Sequence, residues 1–213
     1  QPNTAYVNDI NKDLIGVYGV IKQNVDGLIE ELKKHKNEAD YFYSVRNWDR
    51  DKEKYQSLSD VEKAARILYL NKTCYNGLYR VNNAGEFNSP YGYYRNPNIV
   101  NAPVLRAVSA YFNAADIHFS SIDYSEVLSS IKKGTFVYID PPYDPVSETA
   151  SFTGYAKGGF SKNEQIRSGL GILIQIRRNT PDIGRNYACQ RDCCKTGRGI
   201  PLRQFPFLQS GKV

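Results

Sequence analysis

The sequence predicts an α/β fold with a largely parallel sheet, because short apolar strands alternate with amphipathic helices along the chain. Three strand-like runs each end in an acid: Asp9 after "AYVN", Asp123 after "IHFSSI" and Asp140 after "TFVYI". Ligands of such sheets bind beyond the carboxyl ends of the strands, so these acids are candidates for ligand binding. A strand-end acid can also simply cap the next helix, and this alternative stays open for Asp9 and Asp123.

The first half of the chain is predicted to be mostly helical. Apolar residues recur at near-helical spacing from about residue 12 to residue 34, which predicts one long amphipathic helix. Residues 37–58 are polar and aromatic, and we expect them to be helical in part. Ser59 and Glu62 form a capping box that begins a helix through "VEKAARILYL".

The composition changes between Thr73 and Asn98, where Asn, Gly, Tyr and Pro are frequent. The run 83–85, "NAG", suits a hairpin turn, so this segment is predicted to be a projecting loop and hairpin. Two further helices, "PVLRAVSAYFNAA" and "YSEVLSSIKK", flank the strand "IHFSSID", and Gly134 is predicted to stop the second of them.

The length of 213 residues suits one domain with a sizeable core and a small inserted lobe. No apolar run approaches the roughly 20 residues that a membrane-spanning helix needs, and the first residues show no secretion signal. We therefore expect a soluble, cytoplasmic protein that does not enter a membrane.

Positive charge and cysteines are concentrated towards the end of the chain. Residues 1–165 carry a net charge of −1 and residues 166–213 carry +7, which together give the overall +6. Periodicity also ends there, so 166–213 is interpreted as an atypical basic tail. It contains three of the four cysteines, in "CQRDCC", which lacks the spacing and the His partners of a zinc site. We therefore expect free thiols and no metal.

The corner Asp140-Pro141-Pro142-Tyr143 follows the "TFVYI" strand and has a specific chemical use. The Asp140 carboxylate and the Pro141 carbonyl are two acceptors close together, because Pro142 has no N–H with which to turn the chain inward. Tyr143 adds a flat aromatic face. An amino group on a planar ring satisfies all three, and the two hydrogen bonds hold its nitrogen lone pair towards an electrophile.

This "DPPY" corner resembles the catalytic motif of the amino-methyltransferases that use S-adenosyl-L-methionine. With "NGLYRVN" and "GEFNSPYG" upstream, residues 5–165 resemble the Dam-type (D12 class, α arrangement) DNA adenine-N6 methyltransferases. The resemblance implies a Rossmann-like methyltransferase sheet, here incomplete, with an inserted helical and hairpin domain. Residues 1–36 and 100–165 would form the catalytic core, and residues 37–99 the DNA-recognition insertion.

The resemblance also implies roles for individual residues. Double-stranded DNA would be the substrate, with its adenine flipped out of the helix and stacked near Tyr143. The amine would bind Asp140 and Pro141, and Pro142 would complete the corner. In the cofactor pocket, Asp9 would bind the ribose hydroxyls, Asp123 and Tyr124 the adenine ring, and Asp140 would also lie near the methionine end.

The same resemblance places five residues at base-contacting positions of a monomeric enzyme that reads a GATC-like site. They are Tyr75, Asn76, Leu78, Arg80 and Pro90. The chemistry agrees for Arg80, because a guanidinium can bond O6 and N7 of guanine together. Asn76 has the chemistry to read an adenine edge.

Two parts of the family pattern are absent from this sequence: the glycine-rich loop that cradles the cofactor and a lysine-bearing segment before it. We therefore expect an N-terminally truncated member with weakened cofactor affinity, and a frameshift near residues 166–168 as the origin of the tail. Two alternatives remain. One is an amino-methyltransferase acting on cytosine N4 or a protein amide, and the other is a DNA-binding fragment that transfers no methyl group.

Overall fold

The computed structural model describes residues 4–132 and 134–139. Strands β1 (Thr4–Asn8) and β2 (Asp116–Ser120) pair in parallel, in a register that sets Thr4 opposite Asp116 and Asn8 opposite Ser120. The alternation of strands and helices therefore predicted the parallel pairing correctly. Because the strands are parallel, their carboxyl ends lie at the same edge of the sheet.

The long helix predicted over residues 12–34 is two helices, α1 (Lys12–Gln23) and α2 (Val25–Lys33). Asn24 separates them with a non-helical backbone (φ −147°, ψ 59°), and its side chain accepts the backbone N–H of Gly27 at 3.1 Å. Asn24 thus ends one helix and caps the next. The prediction of one helix was wrong because the apolar spacing continues through the break.

Helix α3 (Ala39–Arg46), a 3₁₀ turn (Asn47–Arg50) and helix α4 (Lys52–Ser57) confirm that the 37–58 segment is partly helical. Helix α5 (Asp60–Thr73) begins at the predicted capping box. In that box the Ser59 hydroxyl accepts the Glu62 N–H, and the Glu62 carboxylate accepts the Ser59 N–H at 2.8 Å.

A short hairpin follows α5, as predicted. Its two antiparallel bridges pair Cys74 with Tyr91 and Val81 with Phe87. At the tip Gly85 adopts the left-handed conformation (φ 83°), which glycine reaches without steric cost. The 83–85 turn is therefore confirmed.

Helices α6 (Ala102–Ala114) and α7 (Tyr124–Ser130) occupy the two predicted helical segments. The predicted stop at Gly134 was wrong, since α7 ends at Ser130 and the next residue is already extended. The strand predicted over 135–140 was also wrong for residues 135–139, which form no strand within the described part of the chain. A short apolar run becomes a strand only where a neighbour pairs with it, and Phe136 here is 88% exposed.

One hydrophobic core joins helices α1, α2, α3, α5 and α6 to the hairpin. Helix α5 packs against both α1 and α2, and the hairpin adds its buried side of Cys74, Phe87 and Tyr91. The core thus continues across the predicted boundary at residue 37, and the domain limits stay a prediction. Among the described helices, none is long and apolar enough to cross a membrane.

Candidate nucleic-acid interface and cofactor-side residues

The five residues predicted to read DNA lie on one exposed element directly after α5. They are Tyr75, Asn76, Leu78, Arg80 and Pro90, and all are exposed. The Tyr75 N–H donates to the Pro90 carbonyl at 2.8 Å, which joins the two sides of the element. The structure therefore brings these residues together, while their contacts with bases stay a prediction.

The turn Tyr75–Gly77 is held in an uncommon conformation. Asn76 (φ 56°) and Gly77 (φ 61°) are both left-handed, which asparagine and glycine tolerate better than other residues. The Tyr94 hydroxyl accepts the Asn76 N–H at 3.0 Å, and the Asn71 side chain donates to the Gly77 carbonyl at 2.8 Å. The turn is thus exposed to solvent and still tightly fixed.

Alternate side chains after the turn face opposite ways, as in a strand. Leu78 and Arg80 are exposed, whereas Tyr79 packs against the core and Val81 is buried. The Tyr79 ring meets the Phe87 ring edge-on, with centroids 5.5 Å apart. This alternation presents Leu78 and Arg80 to solvent from a backbone attached to the core.

The Arg80 guanidinium is oriented by its neighbour across the hairpin. Its Nε donates to Asn88 Oδ1 at 2.9 Å, and the Asn88 N–H donates to the Arg80 carbonyl at 2.9 Å. Within the described residues, Nη1 and Nη2 of Arg80 have no hydrogen-bond partner. These two nitrogens have the geometry for the O6 and N7 acceptors of one guanine.

Sequence reasoning missed Asn88, which orients the Arg80 guanidinium, and Tyr94, which holds the turn at Asn76. One available signal was Gly92. A Cβ added there would lie 2.5 Å from Tyr94 Cε2 and 2.9 Å from the Cys74 carbonyl oxygen. Only glycine leaves room for this approach.

Asp9 and Asp123 lie beyond the same edge of the sheet. Asp9 directly follows β1, and its N–H donates to the Ser120 carbonyl at 3.3 Å. Asp123 follows β2 after a short loop, and Tyr124 is the first residue of α7. The structure therefore gathers the three described candidates for cofactor binding at one place.

The two acids have different local roles. Asp9 Oδ1 accepts the Asn11 N–H at 2.8 Å, but α1 is capped by Asn11 itself, so the helix-cap alternative fails for Asp9. Asp9 Oδ2 has no hydrogen-bond partner among the described residues. The cap alternative holds for Asp123, which caps α7 by accepting the Ser125 N–H at 2.9 Å and also accepts the Ser125 hydroxyl.

Asn8 is a further residue at this edge that sequence reasoning missed. Its side-chain oxygen accepts the Ile122 N–H at 3.1 Å and the Ser120 hydroxyl at 2.8 Å, and its nitrogen donates to the Ile122 carbonyl at 3.0 Å. The amide therefore fixes the loop that leads to Asp123. The available signal was an asparagine at the end of an apolar run.

The corner Asp140-Pro141-Pro142-Tyr143 lies outside the residues that the structure describes, so its roles stay predictions. Cys74 is a free, buried thiol whose pKa burial raises to about 12, while the tail cysteines lie outside the described part. Among the described residues, no cluster of three or more His, Cys, Asp or Glu side chains could hold a metal ion.

The described part thus combines an exposed hairpin with a sheet edge that bears Asp9 and Asp123, and comparison with known proteins identifies the class of protein. Residues 1–173 match the D12 class N6 adenine-specific DNA methyltransferase family. The chain belongs to this family, and the resemblance recognised in the sequence is confirmed. Membership also implies the Rossmann-like methyltransferase fold, of which the described part contains the small parallel sheet.

Particular relatives include two type II methyltransferases. The chain is 43% identical over 168 residues to M1.LlaDCHI of Lactococcus lactis subsp. cremoris, covering 78% of this chain and 59% of that protein. It is 42% identical over 170 residues to M.MjaIII of Methanocaldococcus jannaschii, covering 76% and 57% respectively. The DNA adenine methylase of Escherichia coli is 34% identical over 183 residues, covering 84% and 63%. The chain thus spans less than two thirds of each of these relatives.

Proposed function

We propose that this chain serves site-specific DNA adenine-N6 methylation, with S-adenosyl-L-methionine as methyl donor. The observation that carries the proposal is the fixed and exposed reading element, in which Arg80 keeps two guanidinium nitrogens for a base edge. Family membership supports the reaction class.

Recognition would begin at the hairpin, on a GATC-like site in double-stranded DNA. Arg80 would bond a guanine through Nη1 and Nη2, while Leu78 and Pro90 offer apolar contact to a thymine methyl group. Tyr75 is 55% exposed and offers a ring to stack on a base. Asn76 would offer its side-chain amide to an adenine edge.

The acceptor adenine would be flipped out and held at the DPPY corner. The Asp140 carboxylate and the Pro141 carbonyl would each accept one N6 hydrogen, and Tyr143 would stack on the ring. These contacts orient the N6 lone pair, which is positioning catalysis. Pro142 would keep the corner rigid, because its ring fixes φ.

The sheet edge would hold the cofactor's ribose and adenine. Asp9 Oδ2 is an acceptor without a protein partner in the described part, which suits a ribose hydroxyl donor. Asp123 and Tyr124 would bind the cofactor's adenine ring beside it. When bound, S-adenosyl-L-methionine supplies an electrophilic methyl group on a sulfonium.

A methyl-transfer assay tests the proposal. Tritiated methyl should appear in a duplex containing GATC, but not in the same duplex already N6-methylated or with the site scrambled. Asp140→Ala should abolish transfer, whereas the exposed Asp40→Ala should not change it. Site-specific DNA binding without any methyl transfer would contradict the proposal and favour a DNA-binding fragment.

Calorimetric titration of S-adenosyl-L-methionine tests the cofactor side separately. Asp9→Asn should weaken binding, because an amide is a poorer acceptor than a carboxylate for a hydroxyl donor. Asp116→Asn is the matched control, since Asp116 lies at the opposite end of the same sheet. Equal affinities for the two variants would show that Asp9 does not bind the cofactor.

A further inference from the structure

A buried carboxylate joins the helical part of the molecule to the recognition hairpin. Asp49 lies in the 3₁₀ turn Asn47–Arg50 and is 7% exposed. Its Oδ2 accepts the Phe87 N–H at 2.7 Å and the Arg66 guanidinium at 2.8 Å, while its Oδ1 accepts Arg50 at 2.8 Å. One side chain therefore contacts both α5 and the hairpin.

The helical side of this junction is fixed in several ways. Arg66 is 1% exposed and donates to the Val45 carbonyl at 3.0 Å and the Arg46 carbonyl at 2.7 Å. Its guanidinium also lies over the Tyr55 ring, 5.2 Å from the centroid. A buried arginine with this many partners gives the Asp49 carboxylate a defined position.

On the hairpin, the N–H and the carbonyl of Phe87 are both hydrogen-bonded to the 3₁₀ turn. While Asp49 accepts the N–H, Arg50 Nη2 donates to the Phe87 carbonyl at 3.1 Å. The next residue is Asn88, which orients the Arg80 guanidinium. A short series of contacts therefore runs from Asp49 through the Phe87–Asn88 backbone to Arg80.

We propose that Asp49 is a positioning residue for base recognition. Its carboxylate fixes the side of the hairpin that carries Asn88, and so sets where Arg80 presents Nη1 and Nη2. The hairpin needs such an attachment because two isolated bridges make a marginal sheet. The inference rests on the proposed function, in which Arg80 contacts a guanine.

Hydrogen exchange tests the attachment without DNA. Asp49→Ala removes the acceptor, and Asp49→Asn keeps the shape with a weaker one. Exchange at the Phe87 amide should be roughly tenfold faster in Asp49→Ala, intermediate in Asp49→Asn, and unchanged in the exposed control Asp40→Ala. Exchange within α5 should change little. An unaltered Phe87 amide in both Asp49 variants would overturn the inference.

DNA binding tests the effect on recognition. Affinities are measured for a duplex with a GATC site and for one with its guanine replaced. Partial unfolding lowers both affinities by the same factor and leaves their ratio unchanged, whereas a misplaced Arg80 lowers the ratio. We expect the ratio to fall roughly tenfold in Asp49→Ala and less in Asp49→Asn, with no fall in Asp40→Ala.

The outcomes distinguish a failure of the positioning role of Asp49 from a failure of the proposed function. Faster exchange at Phe87 with an unchanged affinity ratio would show a purely structural anchor and overturn the positioning role. If the unaltered chain itself does not distinguish the two duplexes, the proposed function fails and the role of Asp49 in recognition fails with it. The exchange experiment would still decide whether Asp49 holds the hairpin.

Discussion

The Tyr94 hydroxyl accepts the backbone N–H of Asn76 at 3.0 Å and so holds the left-handed turn Tyr75–Gly77 in place. Tyr94→Phe keeps the ring and removes this acceptor. A hydrogen bond of this kind contributes about 0.5–1.5 kcal/mol, so we expect DNA affinity to fall by roughly two- to tenfold in fluorescence anisotropy. Tyr93→Phe is the matched control, because Tyr93 is 74% exposed. Equal losses in both variants would contradict the role of the Tyr94 contact.

Arg80→Lys keeps the positive charge but loses the bidentate hydrogen-bonding geometry of the guanidinium. Discrimination between a site with its guanine and one without it should fall by about 1–3 kcal/mol. The salt dependence of binding should stay the same, because the number of cationic groups is unchanged. Arg95→Lys, at another exposed position, should leave discrimination intact. Undiminished discrimination in Arg80→Lys would exclude Arg80 as the guanine reader.

Gly92→Ala should destabilise the protein by about 1–3 kcal/mol in urea unfolding, because the added methyl group meets the Cys74 backbone and the Tyr94 ring. Gly16→Ala is the matched control within α1. A Cβ at Gly16 has no neighbour within 4 Å, and alanine is the better helix former by about 1 kcal/mol. The two substitutions should therefore have opposite signs, and a neutral Gly92→Ala would show that the hairpin adjusts freely.

His35 gives the stability a predictable pH dependence. Burial lowers the pKa of His35 from 6.5 to about 4, so the unfolded chain takes up a proton at a higher pH than the folded chain does. The contribution of the neutral ring to stability is complete above pH 6.5 and is lost as the pH falls towards 4.

His35→Phe keeps the stack on the Tyr69 ring, whose centroid is 4.5 Å away, and removes the titrating group. The unfolding free energy should then fall less steeply between pH 6.5 and 4 than in the unaltered chain. His118→Phe is the control, since the exposed His118 also stacks on a tyrosine, Tyr6. A slope altered equally by both substitutions would count against His35 as the source.

Features set by nearby residues were predictable from the sequence. The Ser59–Glu62 capping box and the hairpin turn around Gly85 involve contacts within a few positions, and both were predicted correctly. The break at Asn24 was not, because the apolar spacing on both sides fits one helix equally well. Tertiary packing, which the spacing does not encode, decides between one helix and two.

The residues of the candidate site also include some whose placement was predictable from the sequence and some whose placement was not. The position of Arg80 on an exposed hairpin could be predicted, because the hairpin motif and the alternation of side chains can be recognised in the sequence. The contacts that support the hairpin could not be predicted, because Asp49 and Phe87 are separated by 38 positions and meet only when the 3₁₀ turn Asn47–Arg50 packs against the hairpin. No periodicity relates residues so far apart.

The alternation of Leu78, Tyr79 and Arg80 has a consequence for how target preference can diverge. The Tyr79 ring packs against the core, whereas the side chains of its neighbours Leu78 and Arg80 are exposed on the opposite face of the backbone. Substitutions at the outward positions leave the packing of Tyr79 against the core untouched. Under the proposed function, new DNA targets could therefore be acquired at this element with little cost in folding stability, which would make it a suitable place to engineer altered sequence preference.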